Sequence, residues 1–368
     1  MSPHRSAGHR PTRSTLTVLA CAVLLTACGG GAAPAASGGG GGGGDNTGRL
    51  AMGIAVANIS LNFAHEMADG ATSAAQHDGN IDFQTVGPPN TDGPAEEKLF
   101  QNLVKTATDG VVLENLDPPI FTRPAADAVD AGVPIVALDT APTDGSKISF
   151  YVGNDNYELG SMLADELLKR LPAQPNGAVV VGVPNPGTPV LDSRAKGIAD
   201  TLQAKAPGIT VLGPFQTYSD PNQNLAAWQA LVHANPTALA FLGVGDADSY
   251  DLARIKREEN GQYLVAGADV DAKTLQEVKN GAAFVTIDPE HFLKGYVATA
   301  LLIKSVRGGT PLPQGWLHMP GLVVDQGNID AIIERQTSPE AAYRYYQPEI
   351  DKILADPQAV LQPLAEAR

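Results

Sequence analysis

The stretch VPIVALDT, residues 133–140, begins with mostly apolar residues that read as a buried strand and ends abruptly in a carboxylate, Asp139. A short apolar run bounded by turn residues suits a strand covered on both faces, as in a parallel sheet. The chain on either side repeats the pattern. Upstream, strand-like segments at 50–56, 81–86 and 110–113 alternate with helix-like segments at 63–76, 95–106 and 124–131. Downstream, helices are expected at 157–171, 193–204, 222–233 and 250–258, and strands at 178–183, 209–215, 238–242 and 263–266. A strand at 283–287, a helix at 289–306 and a polar, helical tail beyond residue 326 complete the chain. Repeated strand–helix units give a parallel sheet with helices on both faces. Two such series fit two doubly wound α/β lobes better than one very wide sheet.

Composition and charge narrow the function. The 368 residues are 43% hydrophobic and 18% charged, which is ordinary globular composition and enough for two domains. A net charge of −15, with no basic cluster beyond residue 13, argues against nucleic acid as a partner. The first 27 residues carry Arg5, Arg10 and Arg13, then an apolar run at 16–25, then Leu-Thr-Ala before Cys28. That order describes a secretory signal, too short for a transmembrane span. It resembles the lipobox of bacterial lipoproteins, which implies a Cys28 diacylated and held in a membrane. Residues 28–47 include seven consecutive glycines, 38–44, and read as a flexible tether. The only other cysteine, Cys21, lies in the signal, so the exported part has no thiol for a disulfide, a metal or a nucleophile.

Five motifs stand in a telling order: Leu-Asp-Thr at 138–140, Gly-Asn-Asp-Asn-Tyr-Glu-Leu-Gly at 153–160, Arg-Ala-Lys-Gly-Ile at 194–198, Ala-Gly-Ala-Asp at 266–269 and Asp-Pro-Glu-His-Phe-Leu-Lys-Gly at 288–295. In these the chain resembles the type I periplasmic binding proteins of ABC importers, in particular the simple-sugar class represented by ribose-binding protein. The resemblance covers about residues 50–324. It implies two lobes joined by a three-strand hinge crossing near Gly153, Pro289 and Pro320. The lobes would then be 48–152 plus 289–319, and 153–288 plus 320–368.

The resemblance also implies a ligand site between the lobes. Ligands of open α/β sheets sit outside the carboxyl ends of the strands, which is where Asp139, Asp246 and Asp269 fall. Position by position, Phe63 matches an aromatic that covers a sugar ring, Asn58 a polar contact, Asp139 and Asp269 ligand carboxylates, and Arg194 a donor to sugar hydroxyls. Tyr218 and Asp246 lie near contact positions. Thr140 stands where ribose-binding protein has an arginine, and Asp288 with Pro289 where a glutamine is usual, so the ligand need not be ribose. Read without the resemblance, each residue also has a structural use: helix N-caps for the aspartates, core packing for Phe63, a surface pair with Asp192 for Arg194. Trp228 and Trp316 read as packing.

The expected function is an extracytoplasmic solute-binding lipoprotein, anchored to the cell membrane. It would capture a monosaccharide or polyol by hinge closure and deliver it to an ABC permease with separate ATPase subunits. It is expected to be a monomer without cofactor or metal, and not an enzyme. No Gly-x-Ser-x-Gly or His-Glu-x-x-His pattern occurs, and the histidines are scattered without metal spacing. A receptor for a furanone-type autoinducer is the alternative, because residues 87–92 and 218–220 also resemble that branch.

Overall fold

A computed structural model describes residues 48–367, so the signal segment, Cys28 and the tether lie outside the described residues. The first lobe is begun by β1 (Leu50–Ala55), α1 (Asn62–Asp78), β2 (Ile81–Val86), α2 (Gly93–Leu103), β3 (Gly110–Glu114), α3 (Pro118–Asp130), β4 (Ile135–Leu138) and β5 (Phe150–Asn154). The second comprises α4 (Asn156–Leu168), β6 (Gly177–Val183), α5 (Pro189–Lys205), β7 (Ile209–Gln216), α6 (Pro221–Ala234), β8 (Ala240–Gly243), α7 (Asp248–Glu259), β9 (Leu264–Ala268), α8 (Ala272–Lys279) and β10 (Thr286–Asp288). The chain then returns to the first lobe with α9 (His291–Gly308) and β11 (Gly315–Met319), and to the second with β12 (Leu322–Val324) and α10 (Ile329–Arg335). It ends with α11 (Pro339–Ala355) and β13 (Leu361–Gln362).

Both sheets have the same order at their heart. The first reads β2-β1-β3-β4-β5-β11-β13 and the second β7-β6-β8-β9-β10-β12. All pairings are parallel except β11 with β13 and β10 with β12. Each sheet is buried on both faces, by one cluster of core side chains on each side. That explains the uninterrupted apolar runs of β4 and β8. Among the described residues, all four clusters lie at residue 50 or beyond.

The tail departs from the expectation that 320–368 belongs to the second lobe. Only β12 and α10 pack there, through Val324, Ile329 and Ile332. The helix α11 docks on the first lobe instead, and β13 pairs with β11. Its buried residues Ala342, Tyr346, Ile350 and Ile353 recur at intervals of four, four and three, one stripe of an otherwise polar helix, and that stripe packs against α1 and α9. The chain therefore passes between lobes a fourth time, at residues 336–338.

Two helix crossings fix what the strands hold. A Cβ on Gly70 of α1 would lie 2.1 Å from the carbonyl oxygen of Phe292, and one on Gly295 of α9 2.0 Å from that of Met67. In the second lobe, a Cβ on Gly160 of α4 would lie 1.9 Å from the carbonyl oxygen of Arg194, and one on Gly197 of α5 2.1 Å from that of Tyr157. Each pair of helices thus meets backbone to backbone. We expect Gly160→Ala to force α4 from α5; overpacking of this kind costs ~1–3 kcal/mol, or roughly 2–12 °C of melting temperature at about 2–4 °C per kcal/mol. A thermal melt unchanged from the parent protein would show that the crossing yields freely.

Candidate functional site

The two lobes present their aspartates by the same device. Asp139 follows β4 and Asp269 follows β9, with φ of 64° and 67°. This left-handed backbone is one that aspartate tolerates better than most residues. Each amide donates to the next strand, Asp139 to the Val152 carbonyl at 2.9 Å and Asp269 to that of Ile287 at 2.8 Å. Each carbonyl accepts from a hydroxyl, that of Asp139 from Tyr151 at 2.9 Å and that of Asp269 from Thr286 at 2.7 Å. Held at both ends, the turn presents each carboxylate at the carboxyl edge of its sheet, in the cleft between lobes.

Two cationic side chains and an imidazole meet these carboxylates. Lys294 of α9 pairs with Asp139 and donates to Asn154 Oδ1 at 2.7 Å. Arg194 lies 3.5 Å from Asp269 and donates to Asn156 Oδ1 at 2.9 Å and the Val244 carbonyl at 3.1 Å. His291 Nε2 stands 3.1 Å from Asp269 Oδ1. An ionised carboxylate only accepts, so Nε2 carries the proton, and Nδ1, 3.9 Å from Asp139 Oδ1, has no hydrogen-bond partner. Burial pushes the Asp139 carboxyl up, but Lys294, His291 and Arg194 outweigh it and bring it down to about 2. Burial acts likewise on Asp269, and Arg194 and His291 again prevail, so it is lowered. His291 is lowered by burial and then by Lys294, against the pull of Asp269 and Asp139, and is neutral near pH 7. Asp246 differs. Burial, then Asp269 and Asp271, push its carboxyl well up, and its Oδ2 accepts from the Asn62 amide of the other lobe at 3.2 Å.

These groups line a cavity of about 50 Å³ between the lobes. Phe63, Asp139, Arg194, Tyr218, Asp246 and Asp269 all line it. Asn58, Thr140 and Asp288 do not. Asn58 accepts from the Ser60 amide and donates to Thr91, bracing the loop before α1. Thr140 donates to the Asn115 carbonyl, and Asp288 pairs with Arg335 at 2.7 Å under the hinge. Phe63 tilts against His291 with ring centroids 5.8 Å apart.

Sequence reasoning missed three residues. His291 and Lys294 lie one helical turn apart in a motif quoted for its order alone, and that spacing is the signal that could have found them. Asp248 was the third: it accepts from Thr217, Asn224 and Trp228 side chains and from the amides of Val244 and Gly245. It thereby folds the loop that carries Asp246, and Trp228 is a donor to it as well as core.

Among the described residues, no group of three or more His, Cys, Asp or Glu could hold a metal ion, and no helix is long and apolar enough to cross a membrane. Residues 52–310 match a family model described as periplasmic binding protein domain. A xylose/arabinose-binding protein of Sulfolobus acidocaldarius is 23% identical over 236 residues, 60% of this chain and 57% of its own length. A D-ribose/D-allose-binding protein of Pseudomonas aeruginosa is 22% identical over 302 residues, 80% of this chain and 92% of its own. Among solved structures, an ABC transporter solute-binding protein of Burkholderia graminis in complex with D-arabinose superposes with a TM-score of 0.71 at 23% identity, covering 77% of this chain and 98% of its own.

One acid beneath the site makes a pH prediction. Glu114, at the end of β3, accepts from the Ala57 amide at 2.7 Å, and burial pushes it up to about 8. Its folded value lies above its unfolded one, so the folded protein binds the extra proton and stability falls as pH rises between roughly 4.5 and 8. Glu114→Gln keeps the acceptor and removes the titration. Its melting temperature relative to the parent should climb from pH 5 to pH 8, and a constant difference would contradict the assignment.

Proposed function

The chain belongs to the periplasmic binding protein domain family, and from that membership we propose that it is the extracytoplasmic solute-binding component of an ABC importer, taking a small neutral polyhydroxylated ligand, a monosaccharide or polyol, between its lobes. One observation carries the ligand class: the cavity's two ionised carboxylates are each already compensated by a buried cation, Asp139 by Lys294 and Asp269 by Arg194. A further cation or anion would upset that balance. Hydroxyls, which both donate and accept, suit a site with three carboxyl groups, a guanidinium and a free imidazole nitrogen. Charge-assisted hydrogen bonds of this kind are stronger and more directional than neutral ones.

The relatives whose names mention xylose, arabinose, ribose and allose support a sugar. Closure of the hinge around the ligand would present a joined surface of both lobes to a permease, with the ATPase as a separate subunit. Cys28 would carry the lipid and residues 29–47 would let the folded part reach the permease while staying at the membrane. The folded part would act as a monomer.

A thermal-shift screen of the protein without residues 1–28 tests this against pentoses, hexoses, deoxyhexoses, polyols and a furanone-type autoinducer. A ligand held only by the folded state raises the melting temperature. A rise with a sugar or polyol is expected; a rise with the autoinducer alone would replace the reading, and silence from every polyhydroxylated compound would remove it. Asp139→Asn and Arg194→Lys should each weaken binding roughly 10- to 100-fold, since hydrogen bonds to charged groups are worth ~1.5–3 kcal/mol. The paired change Asp139→Asn with Lys294→Met restores the buried charge balance. If it regains stability and still binds weakly, the loss belongs to the contact and not to the fold.

A further inference from the structure

Where two of the interlobe passages meet α11, the surface is hollowed into a groove of about 420 Å³, separate from the cavity between the lobes. Glu290 of one passage and residues 320–322 of the other border it, and Tyr345, Tyr346 and Glu349 of α11 face them. Glu290 turns the chain from β10 into α9 with a left-handed backbone, φ 58°. It is 9% exposed, yet among the described residues its carboxyl has no hydrogen bond or ion pair. A buried polar group left so carries its full desolvation cost, and a partner from outside is what the position lacks. The cations nearby are already engaged. Arg335 pairs with Asp288 at 2.7 Å, Lys352 with Glu349 at 3.1 Å, and Lys294 with Asp139. With Glu290 ionised, the acids Asp288, Glu290 and Glu349 outnumber Arg335 and Lys352 by one charge, so the groove is one cation short.

The rings of the groove say which kind of cation. Tyr345 and Tyr346 stand at 88° with centroids 5.1 Å apart, and the Arg335 guanidinium lies 5.3 Å from one and 5.1 Å from the other. The corner thus already holds a cation of the protein's own, and Tyr345, 40% exposed, carries the same ring chemistry out to the groove. Aromatic rings attract organic cations, and a carboxylate without partners takes an N–H donor. A single missing charge suits a monoamine. We propose that this groove binds a small alkylammonium ion, its N–H groups on the Glu290 carboxylate and its carbon chain along Tyr345. Without such an ion a proton takes its place: burial, then Asp288, and further Glu349 push the Glu290 carboxyl up to about 8, against Arg335 and Lys294. The ion displaces that proton, so its affinity should rise roughly tenfold from pH 6 to pH 7 and level off above about 8.

Titration calorimetry of the full chain with n-butylammonium chloride, at fixed ionic strength and at pH 6, 7 and 8, tests it. One equivalent should bind, with the pH dependence just given. Glu290→Gln stays neutral as the protonated acid does, so the fold keeps its charge balance. It should weaken binding at pH 8 at least about tenfold, since a hydrogen bond to a charged group is lost, and should flatten the pH profile. Tyr345→Leu, at an exposed ring, should weaken it several-fold. Tetramethylammonium, which has no N–H, should bind more weakly than butylammonium. A general attraction to a chain of net charge −15 would instead favour the dication 1,4-diammoniobutane and spread over several equivalents. Absence of butylammonium binding at pH 8 would overturn the proposal, as would an affinity that is flat with pH, equal in Glu290→Gln, equal for tetramethylammonium, or far surpassed by the dication. None of these outcomes touches the sugar reading, whose site lies elsewhere.

Discussion

Lys294 and Asp139 form an ion pair fully out of water, and the rest of the site is arranged around that pair. An unpaired charge in the interior costs several kcal/mol, so neither side chain can be there without the other. Lys294 reaches Asp139 because α9 lies with its backbone against α1, an approach that Gly70 and Gly295 alone permit. Asn154 joins them, taking a hydrogen bond from Lys294 and giving two to the carbonyls of Met319 and Pro320. Helix packing, site charge and two of the interlobe passages are thereby one connected structure.

The second lobe repeats the first with one change that matters. Its aspartate has the same backbone, the same kind of hydroxyl brace and a neighbouring glycine crossing, at which Gly160 meets the carbonyl of Arg194 itself. The first lobe compensates its carboxylate from within, by Lys294. The second uses its own Arg194 and also His291, which belongs to a helix of the other lobe. The duplicated device is therefore tied across the cleft by a hydrogen bond from a neutral imidazole.

Much of this could be read in the chain. Buried parallel strands leave apolar runs, and a strand of that kind delivers its next residue to the carboxyl edge, so Asp139 and Asp269 could be placed from pattern alone. The quoted motifs also hold Gly160, Gly197 and Gly295, whose recurrence reflects backbone contact. What could not be read was direction. Thr140 adjoins Asp139, but its hydroxyl turns back to the Asn115 carbonyl. Asp288 also ends a strand, yet Arg335, forty-seven residues away in sequence, draws it under the hinge. Partners so distant leave no local pattern. The tail was misplaced for a related reason: the stripe of α11 shows that a face is buried and does not say against which lobe.

The fourth passage bears on how the hinge can work. Arg335 of α10 pairs with Asp288 at the end of β10 and with the hydroxyl of Tyr346 in α11, so the second lobe's last strand is bound to a helix of the first. Gln336 adds a bond to Glu66 of α1, whose carboxyl is held well up by burial and then by Asp288. A bend that parted Arg335 from Asp288 would expose two charges to incomplete solvation, so motion is confined to paths that keep them together. Across the cleft the opposite holds. Asn62 with Asp246 and His291 with Asp269 are single neutral-donor contacts, and they use the very groups that face the cavity. A ligand shifts the lobes only by its differential affinity for the closed form. If the lobes close on a ligand as proposed, its contribution would be what it adds beyond these two contacts, and a ligand that merely replaced the two bonds would leave the equilibrium where it was.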